Sequence, residues 1–387
     1  MPFDILDSIR GIAALYVAIA HCRANLWIGG SEFLKMFPRN TWGAWDYFMF
    51  GSSMLTRLAV EFVIVFFVLS GFSIAHSLSA NKSPRQFYYR RFIRIYPSYL
   101  VALIWAGLVF IVTRSWHPGW YDGSMTEIAS QHGTDIQKLA FVRSIEMNSY
   151  FEGNMILKNL FYMPGRGYIT PFWSLTYEVI FYILAPFLAR KLNYYAIISL
   201  LLFAANFIIP GKIQTIGLPL YVHDFLFVYN IYFVTGMTLY TYFDKVSGWF
   251  SSFSKGMLLA GITGTLLLMY AINFYFKVET AYSFMTAALL GTLLIIFFLK
   301  HRVRIRWLMN VGKFSYTLYI THLASVFLYL GIYWLVARPH VPYILNYFVW
   351  MPAVLFVILI AYIQYWLVEK RTKNILNLLR NKALQRS

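Results

Sequence analysis

Residues 9–28 read IRGIAALYVAIAHCRANLWI. From Ile12 to Ile28 the stretch is apolar enough, and nearly long enough, to cross the hydrocarbon core of a bilayer as a helix. Inside it stands His21. An ionisable side chain at membrane depth is costly, so its presence there points to function. Imidazole is also the side chain best suited to moving a proton near neutral pH. Arg10 lies eleven residues earlier. At about 100° and 1.5 Å per residue, Arg10 and His21 fall within about 20° of each other on a helix and roughly 16 Å apart along it. A cation near the surface and a base deeper on the same stripe suit a path for a substrate. The competing reading is an interior histidine satisfied by a neighbouring helix.

The rest of the chain has the same character. Of its 387 residues 59% are hydrophobic, 20% are aromatic and only 12% are charged. Soluble domains are usually about a quarter charged, so this composition is that of an integral membrane protein. The single cysteine, Cys22, excludes an intramolecular disulfide and a cysteine metal cluster. No zinc-type histidine spacing, phosphate-binding glycine loop or GxSxG elbow occurs, so no metal is expected. A net charge of +18 would suit nucleic acid in a soluble protein. In a membrane protein it fits cytoplasmic loops and anionic lipid or substrate, and no nucleic-acid partner is expected. Asp4 and Asp7 precede the first apolar run, where a signal peptide carries positive charge. That run is therefore expected to be a retained helix.

Membrane-length apolar stretches occur at roughly 9–28, 58–78, 97–113, 172–189, 194–210, 224–243, 256–275, 282–299, 314–336 and 346–367. The expectation is an all-α polytopic transmembrane helix bundle of about ten spans. Most of the basic residues fall on one set of loops: Arg10, the run Lys82 to Arg94, Arg190/Lys191, Lys245/Lys255, Lys300 to Lys313, and the tail from Lys370. The positive-inside rule then puts both termini in the cytoplasm, in a bacterial cell the cytoplasmic side of the inner membrane. Residues 1–369 form the transmembrane domain. Residues 370–387 suit a basic amphipathic helix on the inner surface, in contact with membrane lipids. On the outer side, residues 29–57 are aromatic and suit an interfacial or re-entrant piece. Residues 114–171 are the longest polar stretch, and loops of that length are usually functional.

Four further blocks carry chemistry. In Arg90-Arg91-Phe92-Ile93-Arg94-Ile95-Tyr96-Pro97, Arg91 and Arg94 share a helix face. Guanidinium groups grip phosphate bidentately; the alternative is an ordinary membrane anchor. In Trp173-Ser174-Leu175-Thr176-Tyr177-Glu178 with Tyr182, a carboxylate falls a turn or two into a span, with Ser174 and Tyr182 one turn to either side. Glu178 suits orienting a histidine or holding a substrate hydroxyl; otherwise it pairs with an arginine such as Arg10 or Arg23. In Phe66-Phe67-Val68-Leu69-Ser70-Gly71-Phe72, the small residues suit close helix packing, and Ser70 has no adjacent base to make it a nucleophile. Ser315-Tyr316-Thr317-Leu318-Tyr319-Ile320-Thr321-His322 places a second histidine in a span, as a second base or an interhelical hydrogen bond.

In this order the blocks resemble the acyltransferase-3 family of bacterial membrane O-acyltransferases. Those proteins acylate sugars of O-antigens, exopolysaccharides, nodulation factors and cell-wall glycans. The segment from Asp7 to Ala14 with His21 resembles the first-helix signature, and Phe66 to Phe72 the second block. Arg91 and Arg94 with Pro97 resemble the RxxR block. Trp173-Ser174-Leu175 with Glu178, Phe181 and Tyr182 resembles the fourth, and Ser315 through His322 the C-terminal one, with Glu369 as a closing acidic residue. One departure stands out: the family often has an acidic residue just before the paired phenylalanines, where this chain has Val65, with Glu61 one turn earlier. The resemblance implies that His21 carries catalysis with Arg10 essential beside it. It implies that Arg91 and Arg94 serve acyl-CoA and that acetyl-CoA is the donor. No fused extracytoplasmic esterase domain is expected.

The expected chemistry follows. Cytosolic acyl-CoA meets the basic face, and its arm threads from Arg10 toward His21. A glycan or lipid-linked oligosaccharide acceptor enters through the aromatic outer loops, where Trp116, Trp120, Tyr121 and Trp173 suit stacking on sugars. His21 acts either as general base or as a transient acyl carrier. Arg10 or Arg23 faces the developing oxyanion. Ser174 and Tyr182 are expected to bind the acceptor together with Trp173 and Trp120, and His322, Ser70 and Arg23 to support the site. The rival reading from another class is a transporter or flippase for a lipid-linked sugar. Transporters often show internal repeats, and none is evident in the sequence.

Overall fold

The computed structural model describes residues 3–80, 83–125, 127, 141–163, 166–209, 217–276, 280–338, 344–372 and 374. Among them every regular element is helical. Ten of the longer helices are α1 (Leu6–Leu26), α2 (Ala59–Ala80), α3 (Pro84–Trp116), α5 (Trp173–Leu188), α6 (Leu192–Ile208), α7 (Asn230–Thr241), α8 (Lys255–Ala271), α9 (Thr280–Lys300), α11 (Ser315–Ala337) and α12 (Trp350–Gln364). Two short helices are α4 (Phe141–Glu146) and α10 (Arg306–Lys313).

Each of the ten expected spans falls on one of the longer helices. Among the described residues seven stretches are long and apolar enough to cross a membrane: Ala44–Ala80, Pro84–Trp116, Gly167–Ile208, Lys255–Phe274, Ala281–Lys300, Ser315–Ala337 and Tyr347–Thr372. The expected spans at 172–189 and 194–210 fall together within Gly167–Ile208, where a 3-10 turn at Ala189–Lys191 separates α5 from α6. The expected spans at 9–28 and 224–243 lie outside the seven. Their helices are diluted by polar side chains: Asp7, Arg10, His21 and Arg23 in α1, and His223, Asp224 and Asn230 around the start of α7.

The boundaries follow from local chemistry. Asp7 in the first turn of α1 complements the positive end of the helix dipole. Pro84 opens α3, where its missing N–H costs nothing. The helix then continues through Pro97, the residue at which a span was expected to begin. At 33 residues α3 is about 50 Å long. That exceeds an apolar core of about 30 Å, which leaves room for the basic turns around Arg90, Arg91 and Arg94 outside it.

The chain divides into two compact units. The first comprises Met1–Ala13, Val60–Phe92 and Ser174–Lys313. In it α2 and α7 cross backbone to backbone. A Cβ on Gly71 would overlap the carbonyl of Phe233, and one on Gly236 would overlap the carbonyl of Val68. Small residues at such crossings let membrane helices approach closely enough to gain packing energy. Gly11 of α1 and Gly312 of α10 repeat the arrangement, against Leu308 and Asp7. Glu61 of α2 is buried and accepts hydrogen bonds from Ser283 Oγ at 2.6 Å and Asn273 Nδ2 at 3.2 Å. It is held by neutral donors within the helix packing.

The second unit comprises Ala14–Ala59, Ile93–Trp173 and Phe314–Ser387. In it α11 packs along α12 and against the turn Gly167–Phe172. The expected interfacial piece at 29–57 forms short helices, Gly30–Met36 and Ala44–Met54. Trp27, Ile28, Phe33, Met49 and Tyr347 join in a buried hydrophobic cluster there. Trp45, Tyr47 and Phe48 remain exposed. Of the polar stretch 114–171, residues 128–140 lie outside the described residues, as do Lys82 and tail residues 375–387.

Candidate active site

His21 stands on α1, and its ring lies against that of His322 on α11, with centroids 4.9 Å apart and planes tilted by 39°. Nε2 of His322 is 3.1 Å from Nδ1 of His21. The second nitrogen of His322 is 2.6 Å from the carbonyl oxygen of Tyr319, one turn back on the same helix. Nδ1 of His21 is also 3.0 Å from the Val17 carbonyl. His322 is fully enclosed, whereas His21 keeps part of its surface open. Two further bonds fix α11 in place. The Tyr319 hydroxyl donates to the Pro171 carbonyl at 2.8 Å, and Trp105 Nε1 donates to Ser325 Oγ at 3.1 Å. The histidine pair spans 301 positions of sequence.

Arg143 of α4 lies within electrostatic reach of both imidazoles. Burial lowers the affinity of its guanidinium for its proton, and the nearby carboxylate of Glu146 opposes that shift. A guanidinium remains charged in either case. Sequence reasoning passed over Arg143 because it sits in the long polar stretch, where an arginine is unremarkable.

Arg10 lies in the first unit, on the opening turns of α1. Its Nη1 donates to Asp7 Oδ1 at 2.6 Å and its Nη2 to Ser73 Oγ of α2 at 2.8 Å. The adjacent Gly11 is where α10 crosses α1. That crossing explains why glycine follows this arginine: a side chain would push α10 away from it.

Glu178 of α5 centres a second cluster in the first unit. Its Oε1 accepts from Ser70 Oγ at 2.9 Å and from the Tyr182 hydroxyl, and the two hydroxyls are 3.3 Å apart. The guanidinium of Arg91 lies over the Tyr182 ring at 5.4 Å and over the Phe87 ring at 5.5 Å. This arrangement joins three blocks that the sequence had only in order: Ser70, Arg91, and Glu178 with Tyr182. It favours Ser70 as a hydrogen-bond donor to a carboxylate. The expected pairing of Glu178 with Arg10 or Arg23 is replaced by these hydroxyls.

The remaining candidates fall as follows. Arg23 is 7% exposed, and its Nε donates to Thr56 Oγ1 at 2.8 Å. Ser174 is buried and Trp173 half-buried at the start of α5. Arg94 is half-buried on α3, one turn beyond Arg91. Trp120 is 1% exposed, stacked on His117 at 4.5 Å and edge-on to Trp334 at 5.8 Å. Its rings therefore belong to the core of the second unit, with no open face for a sugar. Glu369 is buried and accepts from Thr317 Oγ1 at 2.5 Å. Among the described residues no group of three His, Cys, Asp or Glu side chains converges as a metal site would require.

The described residues thus give an all-helical membrane protein with a histidine pair in one unit and a serine–tyrosine–carboxylate cluster in the other. The chain matches the Acyltransferase domain family over residues 3–366, and it belongs to that family, the acyltransferase-3 membrane acyltransferases. It is also similar to Acyltransferase MdmB of Streptomyces mycarofaciens, with 31% identity over 144 residues. That match covers 36% of this chain and spans about a third of the relative's length, 31%. No solved structure matches the chain.

Proposed function

We propose that this membrane acyltransferase moves an acyl group, acetyl in the first instance, from cytosolic acyl-CoA to a sugar hydroxyl of a cell-surface glycan, with His21 as the general base. The observation that carries this reading is the histidine pair. His21 is only partly buried within an apolar helix, and the enclosed imidazole of His322 braces its Nδ1. That is the arrangement a base needs if it is to take a proton from a hydroxyl in one orientation.

In this reading the alcohol oxygen attacks the thioester carbonyl as its proton passes to His21. The C–S bond breaks, and His21 returns the proton to the leaving sulfur. Arg143, whose charge reaches both imidazoles, faces the negative charge that develops on the carbonyl oxygen. The three-residue spacing of Arg91 and Arg94 on α3 suits the donor's phosphates on the basic, cytoplasmic side. Glu178 and Tyr182 suit holding the hydroxyls of the acceptor. In this reading both termini lie in the cytoplasm and the chain sits in the inner membrane, an orientation that the distribution of loop charges supports.

The test is release of free thiol from acetyl-CoA by purified protein in lipid nanodiscs, alongside acetylation of the host glycan. His21→Ala is expected to accumulate in the membrane and lose both. Wild-type activity in that variant would sink the proposal, and transport of a lipid-linked sugar without any acyl-CoA consumption would replace it.

A further inference from the structure

Three contacts decide where the protons of the histidine pair sit. A carbonyl oxygen only accepts, so the Nδ1 of His322, 2.6 Å from the Tyr319 carbonyl, carries a hydrogen. In a neutral ring the Nε2 of His322 is then a bare acceptor. That acceptor faces Nδ1 of His21 at 3.1 Å, and the Val17 carbonyl faces the same nitrogen at 3.0 Å. With acceptors as its two neighbours, Nδ1 of His21 must carry the hydrogen. The lone pair of His21 is therefore on Nε2. Polarity runs in one direction through the pair: the Tyr319 carbonyl accepts from His322, and His322 accepts from His21. The other charged groups that act on the pair are Arg143, which reaches both rings, and Arg23, which reaches His21.

We propose that His322 is a positioning residue that holds His21 in the Nδ1–H form, making Nε2 the atom that receives the acceptor's proton, and that shares the resulting positive charge. The inference rests on the reading of His21 as general base. As Nε2 takes the hydroxyl proton, the Nδ1–H bond of His21 lengthens toward Nε2 of His322. When Nε2 returns its proton to the leaving sulfur, the original tautomers are restored. No proton is gained or lost by the pair over the cycle, and no further reactant is needed. Holding an imidazole in one tautomer is a major part of catalysis in histidine-based acyl transfer, where losing the orienting partner costs about 10⁴ in rate.

Two variants separate this role from packing. His322→Gln still presents an oxygen acceptor to His21 but cannot take up a proton and so cannot share the positive charge. His322→Leu presents neither. In nanodiscs with acetyl-CoA as the probe, His322→Leu is expected to lower kcat by about a hundredfold or more, with KM for acetyl-CoA unchanged. His322→Gln is expected to fall between that variant and wild type, with an altered pH profile. Nitrogen-15 NMR of histidine-labelled full-length protein in bilayers is expected to show His21, assigned by its loss in His21→Ala, as the Nδ1–H tautomer. An Nε2–H tautomer at His21 in the wild type overturns the proposal, as does wild-type kcat in His322→Leu. So does a His322→Gln variant no better than His322→Leu with KM and membrane accumulation both impaired, since that is the signature of packing alone. An active His21→Ala variant is a separate result, because it removes the underlying assignment of the base.

Discussion

Nη2 of Arg10 lies 2.8 Å from Oγ of Ser73, which ties the opening turns of α1 to α2 while Nη1 is held by Asp7. Both terminal nitrogens of the guanidinium are thus engaged, each in a fixed direction. Lysine keeps the charge and loses the fork. Arg10→Lys is expected to accumulate normally and lose a charge-assisted hydrogen bond of about 1.5–3 kcal/mol. Thiol release from acetyl-CoA would then fall roughly ten- to hundredfold. Ser73→Ala, which leaves the ion pair with Asp7 intact, is expected to cost less in the same assay.

The crossing of α2 and α7 predicts a stability effect with no direct chemical one. Gly71→Ala and Gly236→Ala each drive a methyl into a backbone carbonyl. Overpacking of this kind costs about 1–3 kcal/mol. Each variant is expected to show a lower midpoint in thermal unfolding in detergent, and the pair together more than either alone. An unchanged midpoint in both would mean the helices separate there without penalty.

Glu178 predicts a graded series. Glu178→Gln keeps an oxygen for the two hydroxyls and removes the charge, so the fold should hold while transfer activity drops. Glu178→Ala strands both hydroxyls and should also reduce accumulation. Tyr182→Phe removes one donor, worth about 1 kcal/mol, and the ring beneath Arg91 stays. Comparing membrane abundance with turnover across the three separates charge from scaffolding. Equal turnover in wild type and Glu178→Gln would show that the carboxylate charge is dispensable.

Arg143 offers a test of which cation faces the reacting carbonyl. A single donor aimed at a developing oxyanion is worth about 10² to 10³ in rate. Arg143→Gln is therefore expected to lower kcat by about a hundredfold, with Arg143→Lys recovering part of the loss. Arg23 is already engaged by Thr56. Arg23→Gln is expected to have the smaller effect on kcat, and the reverse order would move the oxyanion role to Arg23.

Much of the fold was legible because a bilayer imposes a length. Stretches of about 20 apolar residues became helices at every expected position, and the two outside the seven most apolar stretches are diluted by Asp7, Arg10, His21 and Arg23 in one and by His223, Asp224 and Asn230 in the other. The deviations arise where helix chemistry outruns the apolar pattern, as when α3 begins at Pro84, well before its apolar portion. His21, Arg10 and Glu178 were legible for the same reason, since a costly residue in an apolar run announces itself. Their partners were not. His322 is 301 residues from His21, and Ser73 and Ser70 are ordinary serines until packing sets them against Arg10 and Glu178. Trp120 was misleading in the other direction. An outer-loop tryptophan suggests a sugar platform, and here His117 and Trp334 cover it.

Cys22 has a practical value. It is the only cysteine in the sequence, it adjoins His21, and it is fully buried. A water-soluble maleimide applied to intact cells should leave the native protein unlabelled. Cysteines introduced one at a time in the loops then report without any prior substitution beside His21. Sidedness, and with it the direction from which donor and acceptor arrive, becomes measurable in single-cysteine-addition variants that keep Cys22.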